Sequence, residues 1–234
     1  VSQHGYFAPT RNQLELRRSD LFGVEASTMK TNIVRAIASA ITVTALSLGS
    51  PTASLAQAHD MSKMNMSGHI MIPAGAIYTV ADVEFMQGMI AHHAQAIYMS
   101  RMAAAHGASP RLLKLADKID QSQVAEIRIM QDWLRSNSQM APDTGSWRTM
   151  TMAGMLTPAQ LKELDAAKGA EFDRNYLVMM IQHHEGALQM VKDLFTAPRA
   201  GQEVDVNVFA NDVVVVQTAE IGVMRQMISK SQGN

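Results

Sequence analysis

Laid against itself, the sequence repeats. Residues 82–99, Asp-Val-Glu-Phe-Met-Gln-Gly-Met-Ile-Ala-His-His-Ala-Gln-Ala-Ile-Tyr-Met, align with residues 173–190, Asp-Arg-Asn-Tyr-Leu-Val-Met-Met-Ile-Gln-His-His-Glu-Gly-Ala-Leu-Gln-Met, at a constant offset of 91. The shared letters are Asp, Met-Ile-x-His-His, Ala and Met. A second pair follows, Gln123-Val-Ala-Glu-Ile-Arg-Ile-Met130 against Gln217-Thr-Ala-Glu-Ile-Gly-Val-Met224, at offset 94. A chain made of two copies of one unit has to bury both copies around a common core, which removes most architectures at once.

Each copy reads as a helical hairpin. Thr79 can cap a helix with Asp82 at its third position, and His106-Gly107 closes it. Ser109-Pro110 opens the next helix, and Thr157-Pro158-Ala-Gln160 opens the second half. These signals predict long helices over 80–106, 110–137, 170–196 and 203–230, with a short extra helix near 158–168 between the halves. Val204 to Val216 reads locally as strand because of its valines. Its repeat partner, Leu112 to Ser122, holds good helix formers, so the repeat decides for helix. Two antiparallel hairpins of this length pack most simply as an all-α four-helix bundle with a pseudo-twofold axis. The His-His segments then face each other across the core. The expected domain is 79–234: repeat 1 at 79–137, a Met-rich linker at 138–157 and repeat 2 at 158–230.

The chain ahead of this domain has a different character. From Met29 it runs Met-Lys-Thr-Asn-Ile-Val-Arg, then an apolar stretch from Ala36 to Leu48, then small residues ending Ala56-Gln57-Ala58. A positive start, an apolar centre and a small-x-small site make a signal peptide over 29–58, cleaved after Ala58 or alternatively after Ala56, with 1–28 an upstream extension. The remainder, 176 residues from His59, has a formal charge of −3 and no second apolar span, so a periplasmic or secreted protein without stable membrane insertion is expected. Lys and Arg are not clustered, which argues against nucleic acid as a partner. With 0 Cys there are no disulfides, thiolate metal sites or Cys nucleophiles, and the 19 Met become the notable count.

At 100° per residue, Met89, His93, Ala96 and Ser100 share one side of the first helix, with His92 and Met99 on the adjacent side. Met180, His184, Ala187, His183 and Met190 repeat the arrangement. One helix cannot aim both histidines of a doublet at one point, so one of each pair is expected to face inward and the other the hairpin partner or the surface. Glu126 and Glu220, with Gln123 and Gln217 a turn earlier, stand where a carboxylate could fix a His tautomer. A second Met population lies in polar segments: His59-Asp-Met61-Ser-Lys-Met64-Asn-Met66-Ser-Gly-His69 in a flexible stretch over 59–78, and Met150-Thr-Met152-Ala-Gly-Met155 in the linker. If both segments are flexible, as their polar, Gly- and Ser-containing sequences suggest, Met-x-Met and Met-x-x-Met spacings let several thioethers converge on one soft cation. Thioether and imidazole suit Cu(I), and by the same softness Ag(I), but not Mg, Ca or Mn.

Together, the paired Met-Ile-x-His-His motifs, the Gln-x-x-Glu-Ile-x-x-Met segments, Trp133-Leu134 and Gly169-x-x-Phe172-Asp173 resemble the domain-of-unknown-function family numbered three hundred and five. The resemblance spans about residues 79–230. It implies a ferritin-like four-helix fold and, through the family's CopM-type members, an extracytoplasmic copper-binding protein of copper homeostasis. His92, His93, Met89 and Met99 and their mates His183, His184, Met180 and Met190 occupy the motif positions. Copper ions are the implied cargo, with Cu(I) first and Ag(I) and Cu(II) beside it, and a copper chaperone or efflux component is the implied partner. A di-iron site would need Glu-x-x-His, which occurs nowhere. No nucleophile or phosphate loop accompanies the histidines, so no enzymatic activity is expected. The other reading is a structural or partner-binding bundle in which His and Met pack.

Overall fold

A computed structural model describes residues 70–232, and these are helical, with no strand among the described residues. The order is α1 (Val80–Met102), α2 (Pro110–Ser136), a 3-10 turn (Ser146–Arg148), α3 (Pro158–Ala166), α4 (Gly169–Thr196) and α5 (Val204–Gln232). The signal peptide at 29–58, the extension at 1–28 and residues 59–69 lie outside the described residues. The rest of the stretch expected to be flexible over 59–78 is instead held on the core, with Tyr78 buried and Ile70, Ile72 and Ala76 packed against it.

The helix ends follow their caps. Thr79 and Asp82 form a capping box at α1, Ser109 accepts from Leu112 N–H with Pro110 behind it at α2, and Thr157 and Gln160 form a second box at α3. α1 stops at Met102, four residues before the sequence suggests, because Ala103–Gly107 leave the helix as turns and Gly107 takes a left-handed φ of 69°. The valine-rich segment is helical throughout α5. α1 packs on α2 and α4, and α4 packs on α5, so the two hairpins meet through α1 and α4.

The repeated aspartates are clasps between the hairpins. Asp82, fully buried at the start of α1, accepts from Gly201 N–H in the α4–α5 loop at 2.6 Å, while its other oxygen serves the Thr79 cap. Its repeat mate Asp173, near the start of α4, accepts from Ser109 N–H in the α1–α2 loop at 3.1 Å. Each hairpin thus holds the other's loop.

The core comes in two apolar halves. At one end Phe85, Met89, Ile127, Leu134, Met190 and Phe209 belong to one buried cluster. At the other, Met99, Leu112, Ile119, Phe172, Tyr176 and Met180 belong to a second. The apolar residues change cluster at Gln123 on α2 and at Gln217 on α5, and on α1 and α4 the two clusters interleave just past His92-His93 and His183-His184.

Two further expectations are corrected. The linker at 138–157 is not a free Met-bearing segment: Met152 and Met155 are buried in the first apolar half, and Met150 packs against it. Apolar side chains in a short connection gain more by filling the bundle's open side than by staying in water. That covering also explains why 18 of the 23 residues of α1 are buried. The second correction concerns α5. With many valines and few charges, Val204–Ser231 has a window of mean hydropathy 1.2, long and apolar enough by composition to cross a membrane, and 39% of that window is buried. The segment after residue 58 therefore does contain a second apolar stretch.

Candidate metal centre

The polar interruption is a layer across the middle of the bundle. His92, His93, His183 and His184 have no solvent exposure. His92 and His183 meet across the α1–α4 contact with ring centroids 3.8 Å apart and planes tilted by 37°. His93 and His184 turn to the second helix of their own hairpins: His93 Nε2 lies 2.6 Å from Glu126 Oε2, and His184 Nε2 lies 2.9 Å from Glu220 Oε2. The doublets therefore split as helix geometry requires, one ring to the partner hairpin and one to the neighbouring helix. The carboxylates differ in setting, since the Glu220 side chain is 3% exposed and that of Glu126 21%. Lys118 Nζ stands 3.8 Å from the second Glu220 oxygen, an ion pair too long for a hydrogen bond.

Burial decides the charge of the stacked pair. Removing an imidazolium from water penalises the protonated form and pushes the His92 pKa down to about 3, with His93 and His184 adding repulsion. His183 is driven well below the usual histidine range by burial first and then by the neighbouring rings; the His92 carbonyl opposes this without the geometry of a hydrogen bond. Both rings are neutral at pH 7, with nitrogen lone pairs available.

The ring nitrogens of the layer are under-used. His92 Nδ1, His93 Nδ1, His184 Nδ1 and both ring nitrogens of His183 are buried without a hydrogen-bond partner. Native interiors rarely leave polar atoms unpaired, so five in one layer require an explanation. The glutamines add to the surplus, because Gln123 Oε1 and both polar atoms of Gln217 also lack partners.

The linker closes the layer from outside. Ala153 O lies 3.1 Å from His92 Nε2, and Gln95 holds Leu156 by both backbone groups, accepting from its N–H at 2.7 Å and donating to its carbonyl at 3.1 Å. Gln182 Nε2 donates to Gly154 O at 3.3 Å. Two glycines make this approach possible: a Cβ on Gly186 would fall 2.1 Å from Ala153 O, and one on Gly154 would fall 2.6 Å from Gln182 O. Gln95, Gln182, Gly154 and Gly186 are the site residues that sequence reasoning missed. Only their proximity marks them, and nothing in their spacing announces it.

The sequence-derived candidates separate into three groups. The four histidines, Glu126, Glu220, Gln123 and Gln217 come together in the layer. Met89 and Met190 belong to the apolar half on one side of it, and Met99 and Met180 to the half on the other, all of them buried. Met150, Met152 and Met155 pack with the first half, whereas His59, Met61, Met64, Met66 and His69 lie outside the described residues. Among the described residues no three His, Asp or Glu side chains converge so as to hold a metal ion. Imidazole nitrogens and thioether sulfurs are donors that suit a soft ion.

Residues 82–228 match the model of a family described as a domain of unknown function, DUF305. A DUF305 fragment from Deinococcus radiodurans is 28% identical with a TM-score of 0.57, covering 65% of this chain and 98% of that one. A DUF305 protein from Streptomyces coelicolor is 28% identical with a TM-score of 0.55, covering 64% and 93%. CopM in its Cu(I)-bound form is 29% identical with a TM-score of 0.51, covering 64% and 96%, and CopM structures with Cu(II) and with Ag are similar too. No curated protein matches the chain significantly.

Proposed function

The chain belongs to the DUF305 family, and from that premise we propose that it is an extracytoplasmic, non-catalytic protein that captures copper as Cu(I), and silver by the same softness. The observation that carries this reading is the set of five buried imidazole nitrogens without partners, in a layer flanked on both sides by buried methionines. The neutral rings of His92 and His183 and the thioethers are soft donors that need no deprotonation, so the ion costs these donors no proton. His93 and His184, held through Nε2 by Glu126 and Glu220, keep Nδ1 for other use. CopM, of similar fold, holds Cu(I), Cu(II) and Ag, which supports the same class of cargo here.

Access is the mechanical part of the proposal. The linker from Ala153 to Leu156 covers the histidines, so an ion enters when its bonds to Gln95, Gln182 and His92 open. Met61, Met64 and Met66, with His59 and His69, would collect ions ahead of that step and raise the number bound. The cleaved leader expected at 29–58 places this work in the periplasm or outside the cell, where Cys-free donors do not oxidise to disulfides. A copper chaperone or an efflux component would receive the ion.

The His93–Glu126 and His184–Glu220 pairs favour a second reading, in which the layer serves packing or partner binding alone. An anaerobic Cu(I) titration of the intact protein against a chromogenic competitor, with Zn(II) as control, separates the two. Tight Cu(I) binding with weak Zn(II) binding is expected, and an absence of competition for Cu(I) would leave the packing reading. Changing Met61, Met64 and Met66 to Leu should lower the stoichiometry without unfolding the bundle; an unchanged stoichiometry removes that segment from the mechanism.

A further inference from the structure

On the first hairpin, α1, α2 and the 3-10 turn enclose an open cleft of about 420 Å³. Its floor is apolar, built from Ala94, Ile97, Val124 and Ile127. One wall is aromatic: Tyr98 and Trp147 lie with ring centroids 4.9 Å apart and planes 34° from parallel. The rim carries Arg101, Arg128 and Arg148, and no acidic residue lines the cleft.

The three arginines differ in how they are used. Arg101 is neutralised by Asp120 at 2.9 Å. Arg148 sits over the Trp147 ring, its Cζ 4.6 Å from the centroid, and has no carboxylate partner among the described residues. Arg128, exposed on α2, likewise has none. Two guanidinium groups therefore face one cleft without an ion pair, although the Asp143 carboxylate stands near Arg148 beside Gly145, and next to them are an indole and a phenol that make no hydrogen bond among the described residues.

We propose that this cleft binds a small arene carboxylate, its ring laid on the apolar floor against Tyr98 and Trp147 and its carboxylate held by Arg128 and Arg148. The volume falls within the usual span of small-molecule sites, about 300–1,000 Å³. A guanidinium's planar fork matches a carboxylate with two parallel hydrogen bonds, and a flat ring makes the best use of an aromatic wall. A purely apolar guest would leave both charges unanswered, and a bare inorganic anion would leave the floor and the aromatic wall in water.

The protein has 2 Trp, which makes the test site-resolved. Trp147 lines the cleft, whereas Trp133 is buried and donates its indole N–H to Glu203 at 3.0 Å. Titration of the intact, metal-free protein with 1-naphthoate, followed by the two indole N–H resonances, should move Trp147 saturably and leave Trp133 in place. The neutral isostere 1-naphthalenemethanol, and 1-naphthoate on the Arg128→Gln/Arg148→Gln variant, should each bind about tenfold or more weakly, roughly the worth of one lost charge-assisted contact. An unmoved Trp133 resonance in that variant certifies its fold. Three results would overturn the proposal: no saturable Trp147 movement, equal affinity for the alcohol, or undiminished binding by the double variant. Tighter binding of a pentaglutamate peptide than of 1-naphthoate would also overturn it, in favour of an extended acidic partner.

Discussion

His92 and His183 occupy the same position in the two repeats and stack 3.8 Å apart, yet only His92 has a hydrogen-bond partner, the Ala153 carbonyl. The linker that joins the halves crosses the His layer once and supplies one acceptor for two rings. The duplication thus gives two like histidines unlike surroundings.

Acid should unfold the protein through this pair. Both rings have folded-state pKa values below the unfolded value, that of His92 at about 3, so their contribution is whole above about pH 6.5 and is lost as pH falls toward the folded values. Each costs up to about 1.4 kcal/mol per pH unit across that window. Urea unfolding near pH 7 and pH 5 should therefore show a drop of about 2 kcal/mol from His92, with His183 adding to it in the same direction. In His92→Gln/His183→Gln the pH slope should be flatter; an unchanged slope would assign the acid sensitivity to other groups.

The two His–Glu pairs should differ in cost. Glu220→Ala leaves His184 without its acceptor in a dry setting, whereas Glu126 is partly exposed and water can replace it at His93. We expect a loss of about 2–3 kcal/mol for Glu220→Ala and about 1 kcal/mol for Glu126→Ala, read from denaturant midpoints. Equal losses would mean that the exposure difference has no energetic weight.

Gly186→Ala tests the closure over the layer. Its new methyl would collide with the Ala153 carbonyl, so either the helix or the linker must move. The expected cost is about 1–3 kcal/mol, the usual range for overpacking. Proteolysis should appear first between residues 150 and 157, and Cu(I) uptake should speed up. Slower uptake would contradict the access route.

Met89→Leu/Met190→Leu and Met99→Leu/Met180→Leu separate packing from metal chemistry. Leucine conserves volume, so each pair should lose less than about 3 kcal/mol. If the thioethers are ligands, Cu(I) affinity falls by far more than stability would explain. Unchanged affinity in both pairs would confine the site to nitrogen donors.

Much of the fold was legible because it is local and repeated. Caps at Thr79, Ser109 and Thr157 are set by neighbouring residues, and the repeat overrode the strand propensity of Val204 to Val216. The split of each His doublet followed from 100° per residue. The role of the shared Asp82 and Asp173 did not, since each bonds the loop of the opposite hairpin and that proximity exists only after docking. Nor did the burial of Met152 and Met155: a polar, glycine-containing segment reads as mobile, and its sequence does not reveal the groove that it fills.

The mid-bundle layer has one further consequence. Helices with long apolar faces can slide past one another by a turn and still bury much the same surface. Here a slide of α1 by about 5.4 Å would carry His92 off His183 into a hydrocarbon half and part His93 from Glu126. The layer therefore works as an index mark, giving two nearly interchangeable hairpins a single alignment in which to assemble.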